Sequence, residues 1–402
     1  MKILMVNKFL YPRGGAETYV LKIGGLLQQM GHEVAYFGMY DSQNTVGNDS
    51  GLYTKNMDFH QAGWKRFLYP FYIIYSFDAK RKMKEVIREF QPDVIHLNNI
   101  NFQLTPSVID AAYEEGVPIV QTVHDLQMLC PNHLMLDVHQ LKPCELCLEG
   151  STWNCVRKSC IHGSRMKSMI GAAEGSLYRH TKTYDRVHTF ICPSKFIENM
   201  LLRKQRYQGK TVLLRNFIGE VNPVSDSGKR DYVLYFGRLS EEKGLDGLLG
   251  ACRRLPDIPF VIAGSGPMEE QCRNSGLQNL TFVGFQTGER LTELIQNAMF
   301  SVYFSVWYEN APLSVLESQA LGTPVLCNCI GGIPELVEDG RTGILNDEFT
   351  SESYAEKIRA LYYDKELLKA LSANCLEKKD SMMTLEKYVP ALIRIYENAR
   401  KG

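Results

Sequence analysis

The 402-residue sequence predicts an α/β protein with two parallel sheets, each flanked by helices. Three observations carry this. Short apolar, β-rich runs alternate with helical stretches, the order that puts helices on both faces of a parallel sheet. The alternation stops at a polar, turn-prone segment, residues 217–230, and then restarts. The length also exceeds what one hydrophobic core usually serves, so two domains of roughly 150 to 200 residues are expected.

In the first half, residues 2–6, 33–37, 94–97, 118–123 and 189–192 read as strands. Residues 16–30 and 106–115 read as helices, closed by Gly31 and Gly116 at the usual C-terminal glycine position. A Cys-, His- and Pro-rich insertion, 126–169, breaks the rhythm. After the linker, strands are expected at 232–236, 260–263, 280–283, 300–304 and 325–327, and helical stretches from about 351 to 399. The expected domains are 1–216, with the insertion, and 217–380, followed by a terminal helix at 381–402.

Lys+Arg and Asp+Glu are equal at 45 each, so no global field attracts nucleic acid and any anion site must be a local cluster. The first residues read as a strand, not a signal peptide, and no apolar run approaches the ~18 residues of a bilayer span. A cytoplasmic location follows as the expectation. Residues 67–77 form the longest apolar run, interrupted by Pro70. Around it lie Lys65, Arg66, Lys80, Arg81, Lys82, Lys84 and Arg88. Two readings of 64–88 stand: a surface docking on anionic lipid at the inner face of the plasma membrane, or a half-buried helix with a solvated face.

The candidate chemistry clusters where strands end. Glu309 and Glu317 flank Ala311, Pro312, Leu313 and Ser314, between the strand 300–304 and a helix whose first turn suits Pro312. Open α/β sheets bind ligands at strand carboxyl ends, and the free N–H groups of a helix start favour an anion such as a diphosphate. Carboxylates accept from vicinal hydroxyls, which suits Glu317 to a ribose and Glu309 to a sugar. Upstream, Gly237-Arg238 and Lys243-Gly244 place a guanidinium and an ammonium on one loop, able to reach two phosphates and the charge on a leaving oxygen. Gly264 and Phe285 follow two further strands, in loops that either frame a nucleobase with backbone donors and acceptors or are plain turns. Near the amino-terminus, Gly14 and Gly15 open the first helix and let the backbone approach a ligand. His124, with Asp125, follows the strand 118–123, where a histidine can bond a sugar or pass a proton.

In order and spacing, this set resembles glycosyltransferase family 4, retaining nucleotide-sugar transferases of the GT-B fold. The resemblance runs through Gly14-Gly15, Pro92-Asp93-Val94-Ile95-His96, His124-Asp125, Gly237-Arg238, Lys243-Gly244, Glu309-x7-Glu317, and Gly331-Gly332 with Glu335. It implies two Rossmann-like domains facing across a cleft, with the last helix returning to the first. It implies Arg238 and Lys243 on the donor diphosphate, Glu317 on the ribose, Glu309 on the transferred sugar and His124 beside the anomeric centre. Gly14 and Gly15 line the phosphate and acceptor side, and residues 311–314 offer N–H groups, except at Pro312. Retention through a front-face route needs neither an enzyme nucleophile nor a catalytic metal, in contrast to retaining glycosidases. The expected activity moves a sugar from a nucleotide diphosphate sugar to a glycan or lipid-linked acceptor in bacterial surface polysaccharide assembly.

Two rivals stand beside this reading: a GT-B-fold sugar-nucleotide epimerase and a non-catalytic carbohydrate-binding scaffold. A nicotinamide oxidoreductase fails, because no strand is followed by Gly-x-Gly-x-x-Gly with an acidic residue about 20 positions on.

Of 11 cysteines, Cys130, Cys144, Cys147, Cys155 and Cys160 lie in the insertion. Cys144-x2-Cys147 with Cys155 and Cys160 has the two thiolate pairs of a structural zinc site, Cys130 standing as a substitute ligand. Free thiols or a redox-labile cluster are the plainer readings.

Overall fold

The computed structural model describes residues 1–55, 69–219 and 231–401. Lys65, Arg66, Phe67 and the linker beyond residue 219 lie outside the described residues. The chain divides into two compact units: residues 1–140, 144–215 and 386–402 form one, and residues 141–143 with 216–385 form the other.

The first unit contains β1 (Lys2–Val6), β2 (Glu33–Phe37), β3 (Val94–Leu97), β4 (Ile119–Thr122), β5 (Leu136–Asp137), β7 (Thr189–Cys192) and β8 (Thr211–Leu213), while the two-residue β6 (Lys142–Pro143) falls in the segment 141–143 assigned to the other. Its main sheet is parallel, in the order β2-β1-β3-β4-β7-β8. Residues 3–6, 94–97 and 119–122 are buried, which is why these strands are continuous apolar runs instead of alternating patterns. Strand order reverses between β1 and β3, so their carboxyl ends form this sheet's ligand crevice.

The second unit repeats the scheme with β9 (Val233–Phe236), β10 (Phe260–Ala263), β11 (Leu280–Gly284), β12 (Phe300–Tyr303), β13 (Val325–Asn328) and β14 (Gly343–Asn346). The parallel order is β11-β10-β9-β12-β13-β14, with the reversal between β9 and β12. Phe300 pairs with Val233 and Ser301 with Leu234, so the loops after Phe236 and Tyr303 emerge side by side. The edge strands β8 and β14 are not legible in the sequence. Val212 and Leu213 are exposed and Leu345 is only half-buried, so neither strand has the fully apolar signature of the central ones.

The helical stretch 351–399 is three helices, Ser351–Tyr363, Lys365–Lys379 and Leu385–Ala399. Asp364 separates the first two, its side chain accepting from the Leu367 N–H as an N-cap. The last helix belongs to the first unit from residue 386 onward. Its Tyr388 hydroxyl lies 2.6 Å from that of Tyr19, its Tyr396 hydroxyl 2.6 Å from His96 Nδ1, and Arg400 pairs with Asp93 at 2.9 Å. Thr122 Oγ1 joins this buried network, 2.7 Å from His96 Nε2 and 2.9 Å from the Tyr19 hydroxyl.

The run 67–77 is not one helix: Tyr69–Ile74 ends before Tyr75-Ser76, and Phe77–Phe90 begins with Ser76 as N-cap. The basic residues of the second helix are matched by acids. Lys80 and Lys84 meet Glu114, Arg88 meets Glu115, Arg81 meets Asp78 and Glu85, and Lys82 meets Asp78. Among the described residues, no helix is long and apolar enough to cross a membrane.

Candidate active site

The loops after β9 and β12 are packed backbone against backbone at the second sheet's reversal point. A one-turn 3-10 helix, Glu241–Lys243, ends at Gly244 with φ 73°. A Cβ there would lie 1.8 Å from the Phe304 carbonyl oxygen, so only glycine fits both the conformation and the space. The Val306 N–H donates to the Glu242 carbonyl at 3.0 Å and ties the same loops.

This packing brings two of the sequence-predicted residues into contact. Lys243 Nζ donates to Glu309 Oε1 at 2.5 Å and lies 3.1 Å from the Tyr303 hydroxyl. Ser305 Oγ and Trp307 Nε1 each donate to the same Oε1 at 2.6 Å. Three donors on one oxygen leave Glu309 Oε2 with no partner among the described residues, while the Glu309 side chain is only 6 % exposed. Burial works against the ammonium of Lys243, but Glu309 and Tyr303 outweigh it and hold its pKa above the ordinary lysine value. Burial and the Glu309 carboxylate likewise raise the Tyr303 phenol. The cation sits over the rings of Trp307 and Tyr303 at 5.1 and 5.4 Å. The site thus presents a fixed ammonium and an oriented carboxylate with one oxygen to spare. Tyr303, Ser305 and Trp307 escaped the sequence reading; their only signal is position, at or just past the end of β12.

The rest of the set lies on the loops and the helix that follow strands of the same sheet. Pro312 is the N-cap of helix Leu313–Ala320, one residue before the first helical position, and carries no side-chain cap bond. The first N–H groups of the helix therefore have no partner within it. Ala311 is buried, Leu313 and Ser314 are half-buried, and Glu317 is half-buried on the second turn. Gly331, at φ 61°, lies against the Glu309 backbone, where a Cβ would stand 2.2 Å from the Glu309 carbonyl oxygen. The Gly332 N–H donates to that carbonyl at 2.8 Å, so Gly331-Gly332 is the bed on which Glu309 rests. Arg238 is exposed, and its guanidinium has no partner among the described residues. Gly264 follows β10 and its N–H donates to the Gly284 carbonyl at 2.8 Å. Phe285, 68 % exposed, follows β11 and presents an uncovered aromatic face.

In the first unit, Gly14 is the N-cap of helix Gly15–Gln29 with no side-chain cap bond. His124 is half-buried just past β4, its Nε2 2.9 Å from Asn98 Oδ1 and its ring edge-on to Tyr19 with centroids 5.0 Å apart. Burial lowers its pKa to about 4, against a smaller opposing effect of Asp125. The sequence reading of a proton carrier near neutrality is corrected by this environment: His124 is a neutral imidazole at pH 7. Asn98 Oδ1 accepts from Nε2–H, which leaves Nδ1 as the acceptor.

The insertion folds Cys147, Cys155 and Cys160 into one buried cluster, with Cys144 half-buried and Cys130 buried. Cys130 Sγ donates to Asn132 Oδ1 at 2.9 Å and Cys147 Sγ to the Thr152 carbonyl at 3.7 Å. The neighbouring Cys130 lowers the Cys147 thiol, and Cys155 lowers that of Cys160. Among the described residues, no three His, Cys, Asp or Glu side chains are grouped to hold a metal ion.

A doubly wound sheet whose reversal point carries a buried lysine–glutamate pair beside a helix N-terminus defines a class of α/β proteins with the ligand crevice at that point. Comparison with known families then places the chain within that class. Residues 13–219 match the model of Glycosyltransferase Family 4, and residues 220–378 match that of Glycosyl transferases group 1. The chain belongs to glycosyltransferase family 4 and is a glycosyltransferase of GT-B type.

Among curated proteins, it is similar to the alpha-D-kanosaminyltransferase of Streptomyces kanamyceticus, 31 % identical over 42 % of this chain and 45 % of the relative. That match spans less than half of the relative's own length. It is also similar to an uncharacterized 42.6 kDa protein in the cps region of Klebsiella pneumoniae, 21 % identical over 84 % of this chain and 87 % of the other. Among solved structures, sucrose-phosphate synthase from Thermosynechococcus elongatus superposes with a TM-score of 0.72 at 17 % identity, covering 99 % of this chain and 98 % of the other. Anabaena Alr3699/HepE, in complex with UDP and glucose, gives 0.68 at 18 % identity, covering 99 % and 100 %. At such identities these two show the shared fold.

Proposed function

We propose that this glycosyltransferase moves a hexose or related sugar from a nucleotide diphosphate sugar, with retention, to a glycan or lipid-linked acceptor in surface polysaccharide assembly. One observation carries the reading: Lys243 and Glu309 meet at the second sheet's reversal point, with Glu309 Oε2 unoccupied by protein. Lys243 supplies fixed positive charge for the diphosphate and the leaving oxygen, and Arg238, exposed on the same loop, supplies a second cation. The N–H groups at the start of helix Leu313–Ala320 add to this charge.

Glu309 acts by orientation. Lys243, Ser305 and Trp307 hold its Oε1, so Oε2 accepts from the hydroxyls of the transferred sugar. Glu317 accepts from the ribose diol, Phe285 offers its ring to the base, and Gly264 offers backbone groups. His124, neutral with Nδ1 as acceptor, takes a hydrogen bond from a hydroxyl of the sugar or acceptor and does not donate a proton. Gly14 and Gly15 serve the phosphate and acceptor side in this proposal. Charge neutralisation from these groups supports chemistry without a catalytic metal, the departing phosphate taking the acceptor's proton.

UDP and glucose, bound by the Anabaena neighbour, make UDP-glucose the first donor to try. The Klebsiella relative's place in a cps region supports the polysaccharide role. Within 64–88 the supported reading for the described helix Phe77–Phe90 is a solvated face, because its cations are matched by acids. Structural zinc on Cys144, Cys147, Cys155 and Cys160 is a separate proposal, supported by five cysteines in one insertion, and metal analysis of reductant-purified protein tests it.

Thermal-shift screening against UDP-, GDP- and ADP-sugars, followed by NMR of the product anomer, tests the main reading. Transfer with inversion overturns the retaining mechanism. Free epimerised sugar identifies an epimerase, and no stabilisation or turnover by any donor leaves the scaffold.

A further inference from the structure

A second polar site lies inside the first unit, behind the turn that carries His124. A cavity of about 20 Å3, room for about one water, is lined by Gln127, His133, Glu174, Tyr178, Tyr184 and Tyr207, among others. Four of its polar atoms are buried with no partner at full hydrogen-bond geometry, Gln127 Nε2, His133 Nε2, Glu174 Oε1 and the Tyr184 hydroxyl, although Gln127 stands close enough to Glu174 to favour its charged form. His133, Glu174 and Tyr184 are 8 %, 3 % and 5 % exposed. Buried polar groups are almost always satisfied, by protein or by ordered water. A polar cavity of this size, with several convergent donors and acceptors, is where such water sits.

The cavity is wired to the His124–Asp125 turn. Asn101 Nδ2 donates to Asp125 Oδ2 at 2.8 Å and to His133 Nδ1 at 2.7 Å. The carboxylate of Asp125 sets which way the Asn101 amide points. Since an amide nitrogen only donates, His133 Nδ1 is an acceptor and its Nε2 carries the proton, aimed into the cavity. His133 is held in the left-handed region at φ 64°, as is Phe102 at φ 63°, and their rings stack at 4.8 Å. Strained non-glycine backbone of this kind persists where the surroundings over-determine it. Across the cavity, Glu174 comes from helix Arg165–His180, which follows the cysteine insertion. Burial pushes its carboxyl up to about 7.

We propose that ordered water in this cavity bridges Glu174 to His133, making both positioning residues that fix the Asp125–His124 turn through Asn101. The proposal rests on the transferase reading in so far as His124 faces the reacting sugar. It gives the helix behind the insertion a direct line to that turn without placing any insertion residue in the chemistry.

A crystal structure at a resolution showing ordered solvent, with kinetics of Glu174→Leu and Glu174→Gln, tests it. Water bonded to Glu174 and His133 is expected. Glu174→Leu, which displaces that water, lowers kcat about tenfold or more at unchanged KM for the sugar nucleotide. Glu174→Gln, still able to bond water, stays within roughly threefold of the parent kcat. A dry cavity, a Glu174→Leu enzyme with full kcat, or equal losses in the two variants overturns the proposal. Where Glu174→Leu does not fold, the solvent density decides. A parent protein that turns over no sugar nucleotide fails the transferase reading instead, while the density still answers for the cavity.

Discussion

Lys243→Met tests the centre of the proposed donor site. The substitution keeps the stem of the side chain and removes its charge, leaving Glu309 with the Ser305 and Trp307 donors. The Lys243 and Glu309 side chains are 15 % and 6 % exposed, so this is a largely buried pair. Removing one partner of such a pair costs about 3–5 kcal/mol, because a charge stays buried without its counterpart. The two remaining donors solvate Glu309 in place, which sets the expectation at the lower end, about 3 kcal/mol. Adding Glu309→Gln removes the stranded charge and recovers about 2 kcal/mol of that loss, within the range of contacting residues in double-mutant cycles.

The assay is urea unfolding followed by Trp307 fluorescence, with Trp64 and Trp153 replaced by Phe so that the signal reports the second unit. Ligand linkage is measured in the same samples. UDP at a hundredfold excess over its Kd stabilises the parent by about 2.7 kcal/mol, and Lys243→Met loses most of this increment. A single variant that unfolds at the parent urea midpoint and keeps the whole UDP increment refutes the argument that Lys243 both neutralises Glu309 and holds the diphosphate.

Gly331→Ala drives a Cβ to 2.2 Å from the Glu309 carbonyl oxygen at φ 61°, so it lowers turnover by displacing Glu309, with a loss of stability of about 2 kcal/mol or more by denaturation. Glu317→Ala raises the Kd for the sugar nucleotide about tenfold by calorimetry, with the fold intact by circular dichroism. His96 is fully buried, and burial lowers its pKa from 6.5 to about 3. The unfolded chain therefore takes the proton first as pH falls, and stability is lost from about pH 6.5 down towards pH 3 at about 1.4 kcal/mol per unit. His96→Gln flattens that slope in unfolding experiments at pH 6.5 and pH 5; an unchanged slope removes His96 as its source. Zinc analysis after purification in reductant, with thiol counting, decides the metal proposal: stoichiometric zinc sustains it, and no zinc with all insertion thiols alkylated ends it.

The central strands were legible because a parallel strand covered on both faces is an uninterrupted apolar run, as in residues 3–6 and 300–303. The edge strands β8 and β14 were not, since Val212, Leu213 and Leu345 meet a partner or helix on fewer sides and carry no such signature. The break at Tyr75-Ser76 was hidden for a different reason: Ser76 is a single polar residue near the end of a largely apolar run, and only its capping of Ala79 starts a new helix there. Lys243 and Glu309 were each visible as residues at strand ends, but their mutual contact was not. It depends on the reversal between β9 and β12, a property of strand order that local sequence does not encode.

Alone, the order of residues determined that two doubly wound sheets form and which loops carry charge to their carboxyl edges, because buried strands, glycine turns and helix starts leave local patterns. Only the tertiary structure decided that three donors converge on one Glu309 oxygen, that His124 is neutral, and that Glu174 and His133 share a polar cavity. Those outcomes depend on desolvation and on partners tens of residues away in the chain, and both are set by packing.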